Sequence, residues 1–401
     1  MTAVAPSVDP HTAPVSRADG RRALTVASGA HALHDGYTDL IYVMLPIWQA
    51  EFGLGYAALG LLRTCFVGTM ASLQIPSSLL AERLGTPLVL AIGTALTAAG
   101  FCFVGMSTGF AMLVIALLIG GVGSSTQHPL ASALVARAFS GPRSLKALGT
   151  YNFAGDIGKM VVPATLSVML VIMPWQPALA MLGLLGLIAA ALIFGLTPRF
   201  PVERPAVEAA TTSPSGSVPR GSFWMLFSIG VIDSATRMAF LTFLPFVLIA
   251  KGATLPTIGL ALTLVFAGGA AGKLVCAFIG ARIGAIPTVY LTEGLTTVGI
   301  LALLPLPLEA ALILLPIIGI ALNGTSSVVY GSVPQLVPPE KRSRAFGIFY
   351  TGTIGAGAAA PAIYGLVGDA LGVTTTLMVI AAICLLTLPL AYELRPQFAR
   401  L

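Results

Sequence analysis

Charge is what this chain has least of. Asp, Glu, Lys and Arg make up 9% of its 401 residues, against 56% hydrophobic. A soluble domain carries about 25% charged residues. With a mean hydropathy of +0.94, the composition excludes an ordinary soluble domain and indicates an integral membrane protein. Cysteine is scarce too. Cys65, Cys102, Cys276 and Cys384 each stand alone in a different apolar run, without any C-x-x-C spacing. That excludes a zinc or disulfide framework and leaves four small hydrophobes. No phosphate-binding glycine loop, nucleophile elbow or dinucleotide fingerprint occurs in a credible context. Enzymatic catalysis, ATP as energy source, metals and cofactors are therefore not expected, and an ion gradient is left as the driver. A cleaved leader is not expected either. Residues 1–22 read as a disordered cytoplasmic N-terminus, and the run that follows is too long and too polar for a signal-peptide core.

What the chain has is apolar runs of about 20 residues, the length that crosses a bilayer. They predict twelve helices, near 23–50, 55–81, 87–107, 109–138, 144–173, 175–197, 221–250, 254–281, 285–306, 309–336, 342–371 and 373–393. The expected domains are a six-helix bundle over 23–197, a cytoplasmic linker over 198–220, a second six-helix bundle over 221–394 and a tail over 395–401. The linker contains five prolines with Ser, Thr and both charge signs, a composition that breaks regular structure. Starting the chain in the cytoplasm puts 16 of the 21 basic residues on the cytoplasmic side and only Lys251 outside. This matches the positive-inside rule. It also accounts for the net charge of +6, so nucleic acid is not an expected partner. The lipid bilayer is.

The halves repeat. At an offset of 199, Pro46 aligns with Pro245, Gly53 with Gly252, Gly60 with Gly259, Arg83 with Arg282 and Gly85 with Gly284. At 198, Gly149 and Pro163 align with Gly347 and Pro361. A parallel six-plus-six repeat with a cytoplasmic linker is the architecture of the major facilitator superfamily, which the whole chain resembles. The turn SLLAERLGTP resembles that superfamily's loop motif at Glu82, Arg83 and Gly85, with Arg282 as the repeat equivalent. The first half, through His31 with Asp35 and through GSSTQHPLASALVARAF from Gly123, resembles the fosmidomycin-resistance branch. The resemblance implies an all-α membrane protein with twelve transmembrane helices in two parallel-repeat bundles. It also implies a monomeric antiporter of the bacterial inner membrane that exports drugs or organic anions, with gating contacts at the loop motif.

The remaining charges lie within spans. Ionisable groups at bilayer depth are costly, and face a bundle interior or a water-filled cavity. The stretch HALHDGYTDLIYVMLP puts His31, Asp35 and Asp39 on one helical stripe. Such a stripe can carry protons, or it can be a buried structural network. In the fifth span Asn152, Asp156 and Lys159 share a face. At 1.5 Å per residue Asp156 and Lys159 lie roughly 13 and 18 Å from the cytoplasmic edge, near the midplane. Asp233 and Arg237 repeat the i, i+4 spacing in the seventh span. The reading assigns proton coupling to Asp35, helped by His31 and Asp156, with Asp39 and Asp233 grouped beside them. It assigns an anionic substrate to Arg63, Lys159 and Arg237, since guanidinium and ammonium groups hold carboxylate or phosphonate. The alternative is that each cation is neutralised by its own aspartate, with Asp39–Arg63 as one pair. His128, before Pro129, is either a proton relay or a packing residue, and Asn323 a cavity hydrogen bonder. Lys273 and Glu293 read as a structural pair. The expected function is proton-coupled export of a small anionic compound. The alternatives are an importer or exchanger of such an anion, and a receptor that has lost transport.

Overall fold

The computed structural model describes residues 16–139, 142–200, 220–338 and 341–398, and among them there is no strand. The first half contains α1 (Arg17–Phe52), α2 (Tyr56–Ser72), α3 (Gln74–Leu84), α4 (Thr86–Val104), α5 (Phe110–Ser124), α6 (Gln127–Ala138), α7 (Pro142–Ile172) and α8 (Trp175–Leu196). The second contains α9 (Arg220–Ala250), α10 (Leu255–Ile283), α11 (Ala285–Leu303), α12 (Leu308–Ser332), α13 (Arg342–Cys384) and α14 (Thr387–Phe398). Among the described residues nine helical stretches are long and apolar enough to cross a membrane, or ten if the bent pair α2–α3 is one span. Their outer surfaces carry large exposed apolar side chains such as Ile75, Phe278 and Ile313, as a lipid-facing surface requires.

Several boundaries differ from the sequence expectation, each for a local reason. Helix α1 begins at Arg17 rather than near 23, because the Ser16 hydroxyl caps it by accepting from the Asp19 amide at 3.0 Å. Its first turns are therefore not disordered, while residues 1–15 lie outside the described residues. So does most of the linker, 201–219, and α9 already starts at Arg220. The expected tail is helical through Phe398. The span expected over 55–81 bends by 46° at Leu73. The span over 109–138 breaks at Ser125–Thr126. The break expected between the spans 342–371 and 373–393 does occur, within α13. That helix turns at Gly372, whose φ of 81° suits a residue without Cβ.

Repeat positions occupy equivalent places. Gly53 and Gly252 follow α1 and α9 with φ of 61° and 89°. Gly85 and Gly284 turn the chain into α4 and α11 with φ of 87° and 89°. Within the halves α1 packs on α7 as α9 packs on α13. Between them α2 meets α13 and α7 meets α10. These contacts lie toward one end. A Cβ on Gly60 would collide with the Pro361 carbonyl, and one on Gly365 with the Tyr56–Ala57 backbone. Gly259 packs on Ala164 and Ser167, and Thr64 Oγ1 donates to the Ala358 carbonyl at 2.6 Å. Toward the other end the space between the halves is lined by Met70, Gln74, Tyr330 and Phe349. The molecule is closed beside Tyr56 and Asp369 and opens between the halves at the end carrying Arg83 and Arg282.

Candidate functional site

A cavity of about 280 Å³ lies between the halves above that closed end. Helices α1, α7 and α9, each with an internal proline, together with α2, α6, α10 and α12, bring most of the membrane-embedded charges to its wall.

The centre of the charge network is Asp35, buried on α1. Its Oδ2 lies 3.3 Å from Lys159 Nζ and 3.4 Å from His31 Nε2. Its Oδ1 lies 3.9 Å from His34 Nε2 and 4.0 Å from His128 Nε2. His31 is held by its other nitrogen, 3.0 Å from the Tyr151 carbonyl, and by stacking on the Tyr151 ring at 4.1 Å. Gly155 makes this possible, because a Cβ there would meet the His31 ring and the Asp35 carboxylate. Gly158 likewise lets α7 approach α1, since a Cβ there would collide with the Ala32 carbonyl. The donor atoms of His31, Asp35 and His128 lie within 4.8 Å of one another, close enough to hold a cation. Lys159 Nζ supplies one on the same carboxylate.

Lys159 also reaches Asp156 Oδ1, at 3.9 Å. The main partner of Asp156 is Lys273 of the other half, whose Nζ lies 2.6 and 2.9 Å from the two carboxylate oxygens. This corrects the expected Lys273–Glu293 pair. Packing of α10 on α7 carries Lys273 across the interface. Glu293 on α11 is buried against Cys384, whose Sγ lies 2.9 Å from Oε2. Depth along the chain suggested that pair, but depth does not say which way a helix face turns.

Arg63 is buried, and its two terminal nitrogens are engaged within the first half while Nε has no partner. It donates to the Thr38 carbonyl at 2.6 Å, to Asp39 at 3.2 Å and to the Tyr42 hydroxyl at 2.9 Å, with its guanidinium 4.4 Å from the Tyr42 ring centroid. Asp233 and Arg237 are 4.0 Å apart, and Arg237 also approaches Ser326 Oγ at 3.5 Å. Asn323 lines the cavity while donating to the Gly319 carbonyl at 3.2 Å. Asn152 does not line it. It is exposed one turn toward the open end, since the turn that separates it from Asp156 carries it past the cavity wall. Glu82, Arg83 and Arg282 are exposed, and no ion pair involving them occurs among the described residues. Gly85 supplies the turn after α3.

His34 escaped the sequence reading. It lies three residues from His31, off the i, i+4 stripe, yet it is buried beside Asp35. Its presence next to an intramembrane aspartate was the available signal. Tyr151 and Ser326 gave none, because a tyrosine or serine in an apolar span is unremarkable.

Comparison with known proteins agrees with this architecture. Part of the chain is similar to curated bacterial transporters. The fosmidomycin resistance protein of Escherichia coli K12 is 29% identical over 147 residues, 37% of this chain and 36% of that protein. The probable L-galactonate transporter of the same organism is 28% identical over 171 residues, 42% and 38% of the two chains. The alignments thus span well under half of either relative. A bacterial homologue of the human lysosomal transporter Spinster, inward-facing and occupied, superposes with a TM-score of 0.79 at 14% identity, covering 96% of this chain and 98% of the other. The nucleoside transporter NupG gives 0.74 at 16%, covering 95% and 100%. The profile of the Major Facilitator Superfamily matches residues 28–232 and again 226–400. With both halves matched and the fold shared along nearly its whole length, the chain belongs to the Major Facilitator Superfamily.

Proposed function

We propose that this protein is a proton-coupled secondary transporter of a small organic anion in the bacterial cytoplasmic membrane, working as a monomer. Its twelve spans are α1, the ten apolar spans, and one more from dividing the last long helix at Gly372; both termini are cytoplasmic. The observation that carries the reading is the place of Lys159, within 4 Å of two buried carboxylates, Asp35 and Asp156, on the cavity wall. An anion that docks on Lys159 draws the ammonium away from Asp35. A buried carboxylate that loses its cation is costly, and taking up a proton removes that cost. Anion and proton occupancy are thereby linked, and His31, His34 and His128 surround the carboxylate that changes state.

Export is supported by the similarity to the fosmidomycin resistance protein. Import of a carboxylate is the second reading. It is favoured by the similarity to the probable L-galactonate transporter and by a geometry in which anion and proton bind together. Proteoliposomes loaded with a pH-sensitive dye and offered fosmidomycin, L-galactonate and other organic anions separate the two. In export by antiport, protons move against the anion; in import by symport they move with it. Asp35→Asn is expected to abolish uphill, pH-driven transport while leaving anion exchange at least partly intact, because exchange needs no net protonation cycle. Uphill transport by Asp35→Asn at the parent level would remove Asp35 from the coupling role.

A further inference from the structure

We propose that Lys273 is a substrate-binding residue, and that its ion pair with Asp156 is the contact an entering anion replaces. The inference rests on the reading of the cavity as an anion site. Lys273 belongs to the second half and Asp156 to the first. Among the described residues theirs is the one ion pair within 4.0 Å that joins the halves. It lies on the cavity wall, and the Lys273 side chain is 39% exposed, against 29% for Lys159, 17% for Arg237 and 2% for Arg63. Of the Lys and Arg side chains lining the cavity, Lys273 is thus the most exposed.

Asp156 is also the only carboxylate that Lys273 approaches within 4.0 Å among the described residues, and it is shared with Lys159. Because Lys159 stays within reach of Asp156, that carboxylate keeps one ammonium neighbour when a substrate oxygen takes Lys273. The helix contact does not need the pair. Further toward the closed end, Thr263 Oγ1 donates to the Met160 carbonyl at 3.2 Å, and Gly259 packs on Ser167 and Ala164. Helix α10 therefore stays on α7 when Lys273 turns from Asp156 to an anion. Substrate then engages both halves at once, through Lys159 on one and Lys273 on the other.

Competition for Lys273 predicts effects of opposite sign. Binding of succinate, gluconate and methylphosphonate is measured by calorimetry on the purified full chain in nanodiscs. For whichever anion the parent binds, Lys273→Gln should weaken affinity by about tenfold or more, the loss expected of one charge-assisted hydrogen bond. Lys273→Arg should retain most of it. Asp156→Asn removes the rival carboxylate and should tighten binding severalfold. A structural pair predicts instead that both neutral variants lower the thermal midpoint and neither tightens binding. Parent affinity in Lys273→Gln, or equal weakening in Lys273→Gln and Asp156→Asn, would overturn the inference alone. A parent protein that binds none of the three would overturn the anion reading, and this inference with it.

Discussion

Arg63 gives its donors to Asp39, the Thr38 carbonyl and Tyr42, so its charge is used inside the first half although it borders the cavity. Removing it leaves Asp39 buried without its ion-pair partner. Arg63→Ala is expected to cost about 3–5 kcal/mol, the usual penalty for breaking a buried pair from one side. The double change Arg63→Ala with Asp39→Ala should recover most of that, read as the thermal midpoint of purified protein. A single variant as stable as the parent would mean that Arg63 is free to hold substrate. Lys159 behaves differently. Lys159→Ala leaves Asp156 paired with Lys273 and strands Asp35 instead, so the compensating change is Asp35→Ala, not Asp156→Ala. Expression and midpoint should recover in Lys159→Ala with Asp35→Ala, and anion affinity should not. Anion affinity at the parent value in that double variant would make Lys159 purely structural.

Helices α2 and α13 form the seal at the closed end. Gly55, the N-terminal flank of α2, has no side chain to cap it, and the cap comes from the other half. The Asp369 carboxylate accepts from the Tyr56 amide at 2.5 Å and the Ala57 amide at 3.1 Å. A carboxylate at a helix N-terminus satisfies free amides and opposes the positive end of the helix dipole. Loss of such a cap costs on the order of 1 kcal/mol, which here weakens a contact between halves rather than a helix alone. Asp369→Asn should therefore raise the labelling rate of a cysteine at Ala57 by a few fold with an impermeant maleimide. Gly60→Val, which drives a side chain into the Pro361 backbone, should raise it further. An unchanged rate in both variants would show that the seal is held elsewhere.

The whole molecule is two similar halves joined at one end and parted at the other, with the charged cavity where they part. The orientation proposed for it in the membrane rests on its basic residues, 16 expected on one side and Lys251 on the other. In sealed cells a cysteine at Ser213 should resist an impermeant label added outside, and one at Thr254 should react. The reverse pattern would invert the topology and place the open end outside. Reaction at both positions would break the parallel arrangement of the halves.

Sequence alone determined the class of protein, the repeat and most span positions, because a hydrocarbon layer demands long apolar runs and the repeated glycines and prolines mark fixed turns and kinks. It also identified most of the charges on the cavity wall, since a charge inside a span is anomalous wherever it falls. Tertiary structure decided the partners. Asp39–Arg63 could be read from depth, because α1 and α2 are consecutive and short loops make neighbours of such helices. Lys273–Asp156 could not, because its residues lie on helices of different halves whose facing is set by packing. The same packing buries His34 beside Asp35 and leaves Glu293 against Cys384. Helical periodicity assigns residues to a face, and only the neighbouring helices decide what that face meets.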